Sequence, residues 1–158
     1  MEKPVRLLVV CMGNICRSPT GEAILRAKVK ARGMNIEVDS AGTIGAHKGE
    51  GPDRRAKSHG EARGYRFDRI RSRKVHEDDF RGFDMILAAD RDNLEDLLSI
   101  CPAEYKSKVS LFLSHSQSGI SEIPDPYYGG AAGFEYVLDV VEEASDSILD
   151  KIAAGKLP

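Results

Sequence analysis

Apolar positions along this chain alternate between two spacings. Leu7 to Val10, inside a run beginning at Val5, is β-branched and aliphatic, too short for a helix, and fits a buried parallel strand. Ile36 to Ala41, Asp84 to Ala88 and Val109 to Leu113 predict three further strands. Helix-period segments lie between them. The first runs from Ser18 to about Arg32, with Ala23, Ile24, Ala27 and Ala31 on one stripe and Gly33 as its stop. A second spans about Pro52 to Arg63 and ends at Gly64. His76 to Phe80 reads as a short helical turn, and Asp90 can cap a helix through about Ile100 that Pro102 ends. Gly133 to Ala154 forms the last helix, with Phe134, Val137, Leu138, Val141, Ala144, Ile148 and Ile152 on its apolar face.

Strand, helix, strand order calls for parallel pairing with right-handed crossovers, so the pattern predicts a doubly wound α/β sheet with helices on both faces. Ligands of such sheets bind beyond the carboxyl ends of the strands. Two segments escape either spacing. Gly42 to Gly51 contains four glycines and reads as a loop near such an end, and Ser114 to Gly130 is long enough to suggest a functional loop.

Composition adds bounds. At 158 residues the chain is expected to be one domain, 1–158, with a single core. A net charge of −2 gives no reason to expect nucleic acid or an anionic membrane as partner, although Arg54 to Lys74 is locally basic and the last helix acidic. With no apolar run of signal-peptide or membrane-spanning length, the expected location is cytoplasmic. Three cysteines and four scattered histidines fit neither a disulfide framework nor a metal site, so no metal is expected.

The chemistry concentrates where the first strand meets the first helix. Gly13 and Asn14 tolerate positive φ, Ser18 offers an N-cap oxygen and Pro19 suits a first helical turn. The loop between has backbone N–H groups backed by a helix dipole, an anion cradle with Cys11 at its entrance. Arg17 follows at the Cys-x5-Arg spacing and can fork two oxygens of the anion. That field favours a thiolate at Cys11, hence a nucleophile directed at a phosphate ester. Cys-x5-Arg alone is a weak motif, and a buried cysteine is usually inert packing. Its position at a strand-to-helix turn closed by Ser-Pro gives it meaning.

Val10-Cys11-Met12-Gly13-Asn14-Ile15-Cys16-Arg17-Ser18-Pro19 resembles the phosphate-binding loop of the low-molecular-weight protein tyrosine phosphatases. Ser40-Ala41-Gly42-Thr43, Pro52-Asp53 and Asp125-Pro126-Tyr127-Tyr128-Gly129 resemble further segments of that family in the same order. The resemblance implies a four-stranded parallel sheet ordered 2-1-3-4 and a cofactor-free phosphatase acting on phosphotyrosine proteins and small aryl phosphates. It implies a phosphocysteine at Cys11, with Asp125, stiffened by Pro124 and Pro126, as general acid and then general base. Met12, Gly13, Asn14, Ile15, Cys16 and Ser18 complete the loop, and Asn14, Ser18 and Ser40 match positions that tie it into shape.

Tyr127 and Tyr128 match an aromatic cleft wall. Cys16, next to Arg17 and near Cys11 in the loop, is either a thiol placed to trap an oxidised Cys11 as a disulfide or a small buried thiol. Two positions depart from the pattern. The position aligned with the family's supporting histidine is Ile70, and an aromatic wall after the Ser40 segment is replaced by Ala46, with His47 beside it. The protein is expected to be a monomer or a weak dimer. Three other readings compete. Arsenate reductase needs two further redox cysteines downstream, where only Cys101 is available. Arginine phosphatase tends to carry Thr where Ile15 stands. A non-catalytic phosphate-binding module would gain nothing from the carboxylate of Asp125.

Overall fold

The computed structural model describes residues 3–126 and 129–157. Tyr127 and Tyr128, expected in the cleft wall, lie outside them. Four parallel strands, β1 (Val5–Cys11), β2 (Ile36–Gly42), β3 (Met85–Ala88) and β4 (Val109–Leu111), form one sheet ordered β2-β1-β3-β4. Five helices cover it: α1 (Arg17–Arg32), α2 (Arg54–Ala62), α3 (Glu77–Gly82), α4 (Arg91–Ile100) and α5 (Gly130–Ala153). The sheet order and the helices on both faces match the expectation.

Side chains alternate across the sheet and build two cores. Leu7, Val9, Met85 and Leu87 pack with α1 and α5 on one face, while Leu8, Val10, Ile86 and Ala88 pack with Phe80 of α3 and Leu97 of α4 on the other. Central β1 is buried on both faces, so its hydrophobic run is continuous rather than alternating.

Departures from the predicted elements have physical reasons. β4 stops at Leu111, and Phe112–His115 forms a 3-10 turn that buries Phe112 and Leu113. An apolar run of that length does not distinguish a strand from a buried turn. Ala103–Lys108, left without structure by the sequence pattern, is another 3-10 helix. On α1 the expected alanine stripe is displaced, since Ala31 is exposed while Leu25 and Val29 are buried. From Ser18 to Leu25 this helix is buried all round, because its first turns lie beneath the Cys11 loop. Gly33 ends α1 as expected, at φ 63°.

Candidate active site

β1 delivers Cys11 to the carboxyl edge of the sheet, and α1 leaves from Arg17, so the connecting loop is only five residues long. Asn14 turns the chain at φ 56°, a left-handed conformation that asparagine tolerates. Gly13 does not share the positive φ. The amide side chain of Asn14, a residue only 1% exposed, then ties the loop to three places. Nδ2 donates to Ser18 Oγ (2.8 Å) and Ser40 Oγ (3.0 Å), and Oδ1 accepts from the Arg73 backbone N–H (3.0 Å).

This arrangement fixes the direction of the next bonds. Ser40 Oγ accepts from Asn14 and donates to Glu22 Oε1 at 2.6 Å. Glu22 is buried beneath β2 with Arg26 paired to it at 2.7 Å. Burial raises its carboxyl above the ordinary value, against the opposing effects of the Ser40 hydroxyl and Arg26. Ser18 Oγ likewise accepts from Asn14, and its hydroxyl faces two acceptors, Cys11 Sγ at 3.0 Å and Ala41 O at 3.5 Å, of which the sulfur is the nearer. The Ser18 backbone N–H also points to Sγ, at 3.4 Å.

Ser18 was expected to cap α1; instead it is the second residue of the helix, and the cap position is Cys16, which makes no side-chain capping bond. Ser18 serves the thiol, and the helix end has no capping side chain. Among the described residues, the backbone N–H groups of Gly13 to Arg17 donate to no protein acceptor. They remain available to an anion.

Ile70, aligned with the family's histidine, is buried against Ala23 and Phe67 and takes no part in this network. Its neighbours replace it. Ser72 Oγ donates to Gly13 O (2.9 Å), and the segment through Val75 bonds on both sides of Gly42, so backbone rather than an imidazole braces the loop. Gly42 itself has no room for a side chain, since a Cβ there would stand 2.7 Å from Met12 O.

Cys11, Met12, Gly13, Ile15, Cys16, Arg17, His47, Asp125 and Pro126 line one cavity of about 160 Å³. The sequence-predicted nucleophile, arginine and carboxylate therefore meet in one place. Arg17 lies there with Nη1 on Asp90 Oδ2 (2.8 Å) and Ile123 O (3.0 Å). Burial disfavours the guanidinium cation, but the Asp90 bond and the nearby Cys11 and Asp125 raise Arg17 above its usual value. Asp90 also caps α4 through its other oxygen, which accepts from Asn93 N–H at 2.8 Å.

Sequence reasoning found the cap and missed the arginine anchor, which the position of Asp90 just beyond the carboxyl end of β3 could have suggested. Cys16 is buried against Ala56 and Phe134. Desolvation, then Asp53 and Cys11, push its thiol up to about 12, so it stays protonated beside the reacting sulfur. Ala46 is exposed and does not line the cavity; His47 beside it does, its Nδ1 held by Glu50 at 2.6 Å. Asp53 N–H donates to Ile15 O (2.6 Å) while its side chain caps α2, which joins that helix to the loop. Among the described residues, no cluster of His, Cys, Asp or Glu could hold a metal ion, and no helix is long and apolar enough to cross a membrane.

Comparison with known proteins agrees with this geometry. The sequence profile described as low molecular weight phosphotyrosine protein phosphatase matches residues 6–156. A low molecular weight protein-tyrosine-phosphatase of Streptomyces coelicolor is 41% identical over 150 residues, 91% of each chain. The human low molecular weight phosphotyrosine protein phosphatase is 36% identical over 153 residues, covering 92% of this chain and 94% of its own. A protein tyrosine phosphatase of Entamoeba histolytica, crystallised with Hepes in its active site, superposes with a TM-score of 0.93 at 42% identity, over 97% of this chain and 99% of that one. This chain belongs to the low molecular weight phosphotyrosine protein phosphatase family.

Proposed function

We propose that this protein hydrolyses phosphotyrosine in proteins, and small aryl phosphates, through a phosphocysteine on Cys11. The observation that carries the reading is the Cys11 sulfur beneath the free loop amides, with Arg17 and Asp125 on the same small cavity. The phosphoryl group lies in the cradle, its charge met by the amides of Gly13 to Arg17 and by the Arg17 guanidinium. Cys11 Sγ attacks phosphorus and the bond to the phenolic oxygen breaks. Asp125 gives that oxygen its proton, so that tyrosine leaves neutral.

Asp125, now a carboxylate, takes a proton from water as the water oxygen attacks the phosphocysteine. The S–P bond breaks, phosphate forms and the thiolate returns to the Ser18 hydroxyl and N–H, whose bonds make it the better leaving group. Met12 and His47 edge the cavity, while Asn14, Ser40 and Glu22 hold its shape. The chemistry needs no cofactor. Three free thiols suit a reducing, cytoplasmic setting, and we take the working form as a monomer or weak dimer.

The test is hydrolysis of an aryl phosphate at mildly acidic pH by wild type, Cys11→Ser and Asp125→Asn, with rapid-quench trapping of phosphoenzyme. Loss of activity in the first, slowing by ~10²- to 10⁴-fold in the second and an acid-stable phosphoenzyme are expected. A folded wild type that binds phosphate without turnover would point to a phosphate-binding module instead.

A further inference from the structure

A second cavity, of about 380 Å³, shares no residue with the catalytic one. Its polar wall is built from Ser107, Ser110, His115, Lys151 and Lys156. Met85, also on the wall, opens β3 and pairs with Leu7, four residues before Cys11 on β1. It therefore stands about 13 Å along the strand from the nucleophile. No acidic side chain lines the cavity, and Lys151 and Lys156 have no carboxylate partner among the described residues.

The hydrogen bonds on this wall run in one direction. Lys151 Nζ lies 2.9 Å from His115 Nδ1, and an ammonium only donates, so Nδ1 is the ring's acceptor. The ring proton is then on Nε2, which donates to Ser110 Oγ at 2.8 Å. Burial, then Lys151, pushes His115 down to about 4, so the ring is neutral at neutral pH and the direction holds. Ser110 thus receives a proton, and its own hydroxyl proton meets no acceptor among the described residues. A lysine in the last turn of α5 suits the helix dipole. The dipole does not account for an ammonium bonded to an imidazole, nor for a serine left with a proton to give. The Ser110 hydroxyl, the remaining N–H groups of Lys151 and the ammonium of Lys156 are donors on one cavity, and Ser107 adds a second hydroxyl.

We propose that this cavity binds a phosphate group, carried either by inorganic phosphate or by the monoester of a small organic molecule. An ionised phosphate brings acceptor oxygens enough for all three donors, and two ammonium groups balance its charge. A carboxylate has two oxygens and one charge, and leaves a donor unanswered. Met85 and Leu157 give the cavity an apolar side, which suits the body of a monoester. The site stands whether or not Cys11 turns over phosphate esters, since it has no residue in common with the cradle.

The experiment is nitrogen NMR of the histidine rings in the isotope-labelled protein near neutral pH. Before any ligand is added, His115 should carry its proton on Nε2, and a proton on Nδ1 instead overturns the donor arrangement. Titration with sodium phosphate at constant ionic strength should move the His115 signals to saturation, and equally so in Arg17→Ala, whose cradle is weakened. In Lys151→Gln/Lys156→Gln, where the new amide at 151 can still donate to the ring, the dissociation constant should rise by on the order of 10-fold. Thermal melting checks that both variants are folded. Butylphosphonate, a monoester mimic that resists hydrolysis, separates the two sources: binding tighter than phosphate assigns the site to an organic monoester, and equal or weaker binding to inorganic phosphate. Signals that move with neither probe, that move alike in the folded double variant, or that stop moving in folded Arg17→Ala overturn the site.

Discussion

Removing the Asn14 side chain should cost both stability and rate, in amounts that two variants separate. Asn14 makes three hydrogen bonds, to Ser18, Ser40 and the Arg73 N–H, and occupies φ 56°. Losing three buried bonds at about 1 kcal/mol each predicts a destabilisation of roughly 3 kcal/mol for Asn14→Gly. Alanine adds the steric cost of the left-handed conformation, about 1 kcal/mol or more, so Asn14→Ala should lose roughly 4 kcal/mol. With a urea slope of about 2 kcal/mol/M, the midpoints should fall by about 1.5 M and 2 M respectively. Both variants leave the Ser18 hydroxyl free to turn from Cys11, and a nucleophile misplaced by an ångström costs about 10²-fold in kcat. The assay is urea unfolding followed by far-UV circular dichroism, with aryl phosphate turnover on the same preparations. A wild-type midpoint for Asn14→Gly would refute the bracing role. Equal midpoints for glycine and alanine would refute the account of the backbone.

Other expectations concern different parts of the molecule. Gly42→Ala places a Cβ 2.7 Å from Met12 O and 3.0 Å from Ile44 O, both backbone, so the loop must move; kcat should fall by at least about 10-fold, and unchanged kcat would contradict that crowding. With Cys16 pushed up to about 12, iodoacetamide at neutral pH should label Cys11 and spare Cys16, as mass spectrometry of the digested protein would reveal; comparable labelling of both contradicts the assignment. Burial, then Lys151, pushes His115 down to about 4 from 6.5, so the unfolded chain protonates first, and its contribution to stability is full above about pH 6.5 and lost as pH falls toward 4. His115→Gln should flatten the decline in unfolding free energy over that window. The slope removed is at most about 1.4 kcal/mol per pH unit, less for solvent screening, and an identical slope in both proteins refutes the linkage.

The sheet was legible because β1 and β3 are buried on both faces, and a continuous apolar run with turn residues at its ends has few other solutions. Its strand order came from the resemblance, since spacing along the chain does not say which edge a strand joins. That Cys11, Arg17 and Asp125 meet in one cavity was legible because thiol, guanidinium and carboxylate are residue types with few substitutes in the chemistry the loop suggests. What supports them was harder to read. Ser18 looks like a cap because its sequence position suits one, and only the folded loop shows its hydroxyl against the Asn14 amide and the Cys11 sulfur. Ser72 and Arg73 act through a hydroxyl and a backbone N–H, and a backbone donor leaves no trace in residue type. Asp90 has two oxygens with two partners, and a one-dimensional pattern assigns a residue a single role. Ala46 and His47 are neighbours in an irregular loop, where no period says which side chain faces inward.

The missing cap on α1 has a consequence for the enzyme's cycle. A helix end without a side-chain cap, next to loop amides lacking a protein acceptor, is an unfinished piece of secondary structure, and the phosphoryl group finishes it. In the proposed reaction substrate, phosphoenzyme and product all carry that group. The fold is therefore most complete while the cradle is occupied and least complete at the moment phosphate departs. On that reading product release should coincide with a local loss of order, and inorganic phosphate should both compete with substrate and stabilise the chain, which inhibition kinetics and thermal melting with added phosphate would check.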